Sequence, residues 1–458
     1  MTTPSRHVAV LAALAGLGAG AAPVQLAAQQ RNEVSFLRGP YNTAMFDRLN
    51  HAFRVGAALH FSHAKQHDVL LLTPFARHDS ADAAFDRESV EFVEQLKART
   101  EPAQEYYAPY TARAAWRVLR AIDWTHMLHE QTYDIMADRE IPWPEKQRWT
   151  DRAATYYRTE SSDVAFSPAP LDVTMRRAAV MMKPYFTVFR NYYPRSNNFF
   201  YGAHWWHPVI YEAQMIGGND RDQELVVAQT DSTFYREVLK DRPQRMLLLR
   251  EVAPRYSRLA PEVANSFDNL HMFHGITYDI LAYEGWTIEQ KRAELNRVID
   301  ALAYRPGDER LARRFPIPHL GVDPRVYEPW MKSAEGEMSR IMMEMMDEMM
   351  PMMMPNMNPE MHEKMMTQFK LKMKPGLQPG ELPGSLHDAM MKLRPDMNMM
   401  PESMEPGATP KMMVEMMLRG WREKHGDMPE AAPMPMAAEP PPPLLPATAG
   451  AEATGGEP

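Results

Sequence analysis

The chain has 458 residues, room for two or three domains, and a formal net charge of −8. That acidic balance gives no footing for nucleic acid or another polyanion. Cysteine is absent, which excludes disulfides, thiolate metal sites, iron–sulfur clusters and covalent c-type haem. Any metal must therefore be held by His, Asp, Glu, Tyr or Met.

In chain order, residues 1–28 read as an export signal. Arg6 and His7 precede an apolar run from Val8, small residues follow, and Ala27-Ala28-Gln29 offers a cleavage point. This predicts a periplasmic or secreted protein. No later apolar run is long and uncharged enough to predict a transmembrane span.

Four copies of one pattern, HxxHxxx[YH][DE], follow. They begin at His60, His126, His204 and His271, and they hold nine of the sixteen histidines. His60 and His204 lie 144 residues apart, and His126 and His271 lie 145 apart. Pro40, Tyr41 and Thr43 match Pro184, Tyr185 and Thr187 at 144; Asp123, Met127, Thr132, Ile135 and Ala137 match Asp268, Met272, Thr277, Ile280 and Ala282 at 145. The pattern predicts two copies of one unit of about 130 residues, over 35–165 and 180–312. Such a duplicated chain can close a symmetric site around a pseudo-twofold axis.

Apolar residues fall at helical spacing over 90–98, 113–122, 245–252 and 290–303, and strand-like alternation is scarce. The predicted fold is all-α, an internally duplicated helical bundle with a Met-rich tail. On a helix, histidines at i and i+3 have Cβ atoms about 5–6 Å apart, so both rings can serve one site. The adjacent acid can ligate or accept a ring N–H. The expected metal ligands are His60, His63, His67, Asp68, His126, His129, Asp134, His204, His207, Glu212, His271, His274 and Asp279. Asp123, Tyr133, Tyr211, Asp268 and Tyr278 are expected just behind them. Pro208 predicts that the third helix either starts or kinks at its motif, and Gly275 weakens the fourth.

A lone HxxH says little, and buried hydrogen-bonded His–Asp networks are the competing reading; four copies in register favour metal. His stands where bundle-type di-iron sites carry Glu, so copper is favoured, with zinc or iron behind it.

Residues 313–427 form a Met-rich segment; 29 of the 39 methionines lie from Met331 onward. Thioethers are soft ligands that select Cu(I). Met342, Met345, Met346, Met349 and Met353 are candidate soft-metal ligands. In composition, and over the tail alone, the segment resembles the Met-rich stretches of bacterial copper-resistance proteins. An adaptable apolar surface for a protein partner, or for the chain's own core, is an equal reading. Residues 428–458, rich in Pro, Ala and Glu, predict a disordered tail.

The expected function is an exported metal-binding protein for copper storage, buffering or delivery. A metalloenzyme with a dinuclear His/carboxylate centre and an envelope scaffold with structural His–Asp networks are the alternatives. No nucleophile motif, phosphate loop or cofactor fingerprint decides whether it is an enzyme.

Overall fold

The computed structural model describes residues 43–98, 103–178, 188–216 and 220–314, with scattered residues between 317 and 367. The export signal, residues 40, 41, 184, 185 and 187 of the matching stretches, Met342, Met346, Met349, Met353 and the 428–458 tail lie outside them. The described residues are helical throughout, with one isolated bridge between Phe166 and Ala303.

The helices are α1 (Ala44–Arg48), α2 (Asn50–Leu72), α3 (His78–Glu94), α4 (Gln104–Tyr107), α5 (Pro109–Ala137), α6 (Trp143–Glu160) and α7 (Leu171–Ala178). There follow α8 (Val188–Tyr192), α9 (Pro194–Ile216), α10 (Asp220–Thr233), α11 (Leu249–Val252), α12 (Pro254–Leu259), α13 (Pro261–Ala282) and α14 (Ile288–Leu302). Their boundaries recur at the sequence offsets. Both ends of α1 and α2 fall 144 residues before those of α8 and α9, and α4 and α5 fall 145 before α11 and the α12–α13 pair. Even the kink recurs. Ala115 leaves helical dihedrals inside α5, and Ala260 does so between α12 and α13, 145 residues on.

The motif helices α2, α5, α9 and α13 make the centre. α2 packs on the other three, and α5 also packs on α9 and α13. Every residue of α13 from Ser266 to Ala282 is buried, so this helix is enclosed on all sides. Gly56 lets α2 approach α9, because a Cβ there would lie 3.1 Å from the Trp206 ring.

Two sequence expectations change. The helix over 90–98 stops at Glu94, and Leu96 takes a left-handed turn at φ 46°. The helix over 245–252 shrinks to α11. Pro208 does not start a helix: α9 runs through it, buried on both flanks. Of the candidate soft ligands, Met345 is described, and it is fully buried in the hydrophobic core.

Each half ties off its central helix with a buried lysine. Lys146 of α6 donates to the carbonyls of Ile135, Met136 and Asp138, where α5 ends. Lys291 of α14, 145 residues on, donates to the Leu281 carbonyl at the end of α13. Cations suit a helix C-terminus, where carbonyls are unsatisfied. Lys146→Met should destabilise the fold by roughly 2–4 kcal/mol, given about 1–3 kcal/mol per orphaned buried group. Lys291→Met, which frees fewer carbonyls, should cost less; denaturant titration of both variants checks the order.

Candidate metal centre

The four motifs converge on one cluster. His60 stacks on His126 with ring centroids 3.9 Å apart, and it lies 4.4 Å from His207 and 5.6 Å from His129. His129 and His207 are 5.3 Å apart. His63 stands 5.3 Å from His204, 5.4 Å from His274 and 6.1 Å from His207. His204 meets His271 at 3.8 Å, and His67 stacks on His274 at 4.9 Å. All nine motif histidines are thus in one contiguous set, and none is more than 5 % exposed.

His60, His129 and His207 form a group able to hold a metal ion: one ring nitrogen of each lies within 4.8 Å of the other two. They come from α2, α5 and α9, so three separate helices set the triad. Burial keeps these rings neutral, the form in which imidazole ligates. It pushes His60 down to about 3, and it holds His129 and His207 well below the ordinary histidine value, with neighbouring imidazoles adding to the effect. His204 is likewise pushed down to about 3 and His67 to about 4, while His63, His126, His271 and His274 lie well below the ordinary value.

Six buried ring nitrogens have no hydrogen-bond partner among the described residues: Nε2 of His63, His67, His129, His207 and His274, and Nδ1 of His271. Buried polar atoms are nearly always partnered, so such a concentration calls for a ligand. The donor set fits a metal. His129 shows how one ring is oriented: its Nδ1 lies 2.7 Å from the Tyr211 hydroxyl, and that hydroxyl donates to the His129 carbonyl at 3.1 Å. The phenol oxygen is then free to accept Nδ1–H, which leaves the Nε2 lone pair for a ligand. Phe267 stacks on His129 at 4.2 Å and Phe200 sets its edge to His204 at 4.0 Å, so the walls are aromatic.

The acids of the motifs are elsewhere. Asp68 accepts the Tyr110 and Thr111 N–H groups at 3.0 and 2.7 Å, where α5 begins. Glu212 accepts Arg255 and Tyr256 N–H where α12 begins, and its other oxygen accepts the Arg255 guanidinium at 2.7 Å. Asp134 accepts Thr43 and Met45 N–H at the start of α1, and Asp279 accepts Phe189 N–H at the start of α8. Asp123 does the same for Gln104 and Asp268 for Leu249, opening α4 and α11. Their assignment as ligands or ligand partners gives way to that of helix caps, because a buried carboxylate seeks N–H donors and helix starts offer them.

All three tyrosines pack on cluster rings: Tyr211 through its hydroxyl on His129, Tyr133 with its ring 4.1 Å from His129 and Tyr278 with its ring 4.6 Å from His274. Tyr133 and Tyr278 spend their hydroxyls on backbone, donating to the carbonyls of His207 and His63. Sequence reasoning missed Phe200, Phe267, Lys146 and Lys291. The two lysines share the 145-residue offset and were open to detection by it; the phenylalanines have no such mark.

Two substitutions separate ligand from cap. Asp68→Ala should cost about 1–3 kcal/mol in thermal or denaturant melts while leaving metal content unchanged. Tyr211→Phe should keep the fold and weaken metal binding by about 10–100-fold in a competition titration, because the partner that orients His129 is gone. Comparisons with protein-family models, with curated proteins and with solved structures find no match for this chain.

Proposed function

We propose that this chain is an exported metal-binding protein that holds copper in its core, for storage, buffering or delivery. The observation that carries the reading is the convergence of imidazoles from four helices on one buried cluster, with unpartnered Nε2 atoms on His129 and His207 beside His60. With the carboxylates engaged as caps, the available donors are neutral nitrogens. Such a set suits copper or zinc better than the oxygen-loving ions. The export signal, the absence of cysteine and the Met-rich segment favour copper between the two. Enclosure by Phe200, Phe267 and Trp206 suits holding an ion better than turning over a large substrate.

A second reading has an observation of its own. Tyr211 stacks on Tyr256 at 3.8 Å and on Tyr133 at 4.3 Å, while its hydroxyl touches His129. Such a stack beside a metal would serve redox chemistry, as in a metalloenzyme.

Elemental analysis of full-length protein purified from its native compartment, without added metal, tests the proposal. Copper in at least stoichiometric amount, reduced in a folded His129→Gln, His207→Gln double variant, is the expected result. Iron or zinc in its place would favour the metalloenzyme. Folded protein free of metal would sink both and leave a scaffold with structural histidines.

A further inference from the structure

We propose a second metal site in the same core, built by His63, His204 and His274, so that the protein holds a pair of ions. This rests on the reading of His60, His129 and His207 as ligands and extends it.

The offsets single out the second triad. Adding 144 to His60 gives His204, adding 145 to His129 gives His274, and subtracting 144 from His207 gives His63. The geometry follows the numbers. His129 and His207 are 5.3 Å apart with rings at 86°; His274 and His63 are 5.4 Å apart at 85°. His60 approaches His126 at 3.9 Å, and its counterpart His204 approaches His271 at 3.8 Å. The second triad is the more open: His63–His204 is 5.3 Å against 4.4 Å for His207–His60, and among the described residues only the first triad brings three ring nitrogens within 4.8 Å of one another.

The donor atoms correspond too. Nε2 of His63 and of His274 lack hydrogen-bond partners among the described residues, as do Nε2 of His207 and of His129. Nδ1 of His204 lies 2.6 Å from the Phe200 carbonyl, which fixes the proton on Nδ1 and leaves Nε2 to ligate. Support from behind repeats as well: Tyr278 donates to the His63 carbonyl as Tyr133 does to that of His207. His63 and His207, facing at 6.1 Å, bring the two triads together at the centre of the bundle.

The two sites differ also in the group beside one ligand, and in ring tilt, His60 lying at 15° to His126 and His204 at 71° to His271. Where the first has the Tyr211 phenol beside His129, the second has His67 beside His274, with its Nδ1 3.1 Å from the Ala64 carbonyl and its Nε2 without a partner. The second site therefore offers a fourth imidazole. It takes the same class of ion, one that accepts neutral nitrogen donors, and binds it with a different affinity.

The test is a copper(I) titration of the metal-free full-length chain under reducing conditions, in competition with a chromophoric chelator, on wild type, His129→Gln and His274→Gln. The expected result is about two equivalents with distinct affinities for wild type and about one for each variant, as each loses one site's ligand. Wild type saturating at one equivalent, with His274→Gln unchanged, overturns the second site and leaves the first intact. No copper(I) bound by wild type overturns both. Should His274→Gln fail to fold, His67→Tyr decides: it gives the second site the partner found in the first, so two equivalents should remain with affinities drawn together. Two equivalents with affinities as in wild type would overturn the assignment.

Discussion

A neutral imidazole buried in a protein core must find a partner for one N–H and one nitrogen lone pair, and this chain buries nine such rings side by side. Each unpartnered nitrogen costs roughly 1–3 kcal/mol. Six such nitrogens together rival the ~5–15 kcal/mol that separates a folded domain from its unfolded chain. Phe or Leu would fill the same volume without that penalty. The helices, the aromatic walls and the capped ends together hold a buried, nitrogen-lined centre that could take a metal ion.

The charged groups have been moved to the ends of helices. Six carboxylates on or beside the motif segments accept backbone N–H groups where α1, α4, α5, α8, α11 and α12 begin. Lys146 and Lys291 serve the opposite ends of α5 and α13. Each histidine helix thereby carries a capping residue that grips a segment far away in sequence, 43 residues away for Asp68 and Thr111 and 89 for Asp134 and Met45. The rings are positioned by the same helices that these links hold together.

The all-α class and the helices around 113–122 and 290–303 were legible because their apolar spacing is helical. The convergence of the histidines was legible because the motifs recur at fixed offsets. The role of the acids was not. An acid five residues after the second histidine lies on the same helix whether it turns toward the rings or toward a distant N–H, and the N–H carries no side-chain signature. Tyr133, Tyr211 and Tyr278 all pack against cluster rings, but only the Tyr211 hydroxyl bonds one; those of Tyr133 and Tyr278 hold carbonyls. A phenol that bonds backbone looks in sequence like one that bonds a ring. Pro208 left open a helix start or a kink, and the start is not what occurs: propensity is a local preference, and the enclosed α9 runs through the proline.

The neutrality of the donors bears on which ion such a centre would accept. With Asp68, Asp134 and Glu212 engaged elsewhere, three imidazoles bring no negative charge to offset that of a metal. The Born cost of carrying a charge into a dry interior scales with its square, so a doubly charged ion costs about four times as much as a singly charged one of similar size. Carboxylate-rich bundle sites offset that cost for divalent and trivalent iron; an imidazole-only site does not. Monovalent copper has the smallest charge among the ions that nitrogen donors hold well, and two such ions repel each other least when they share one core. The aromatic lining fits the same argument: Phe267, stacked face-on against His129, turns the partial negative charge of its ring face to the cluster, and neither it nor Phe200 adds a titratable group.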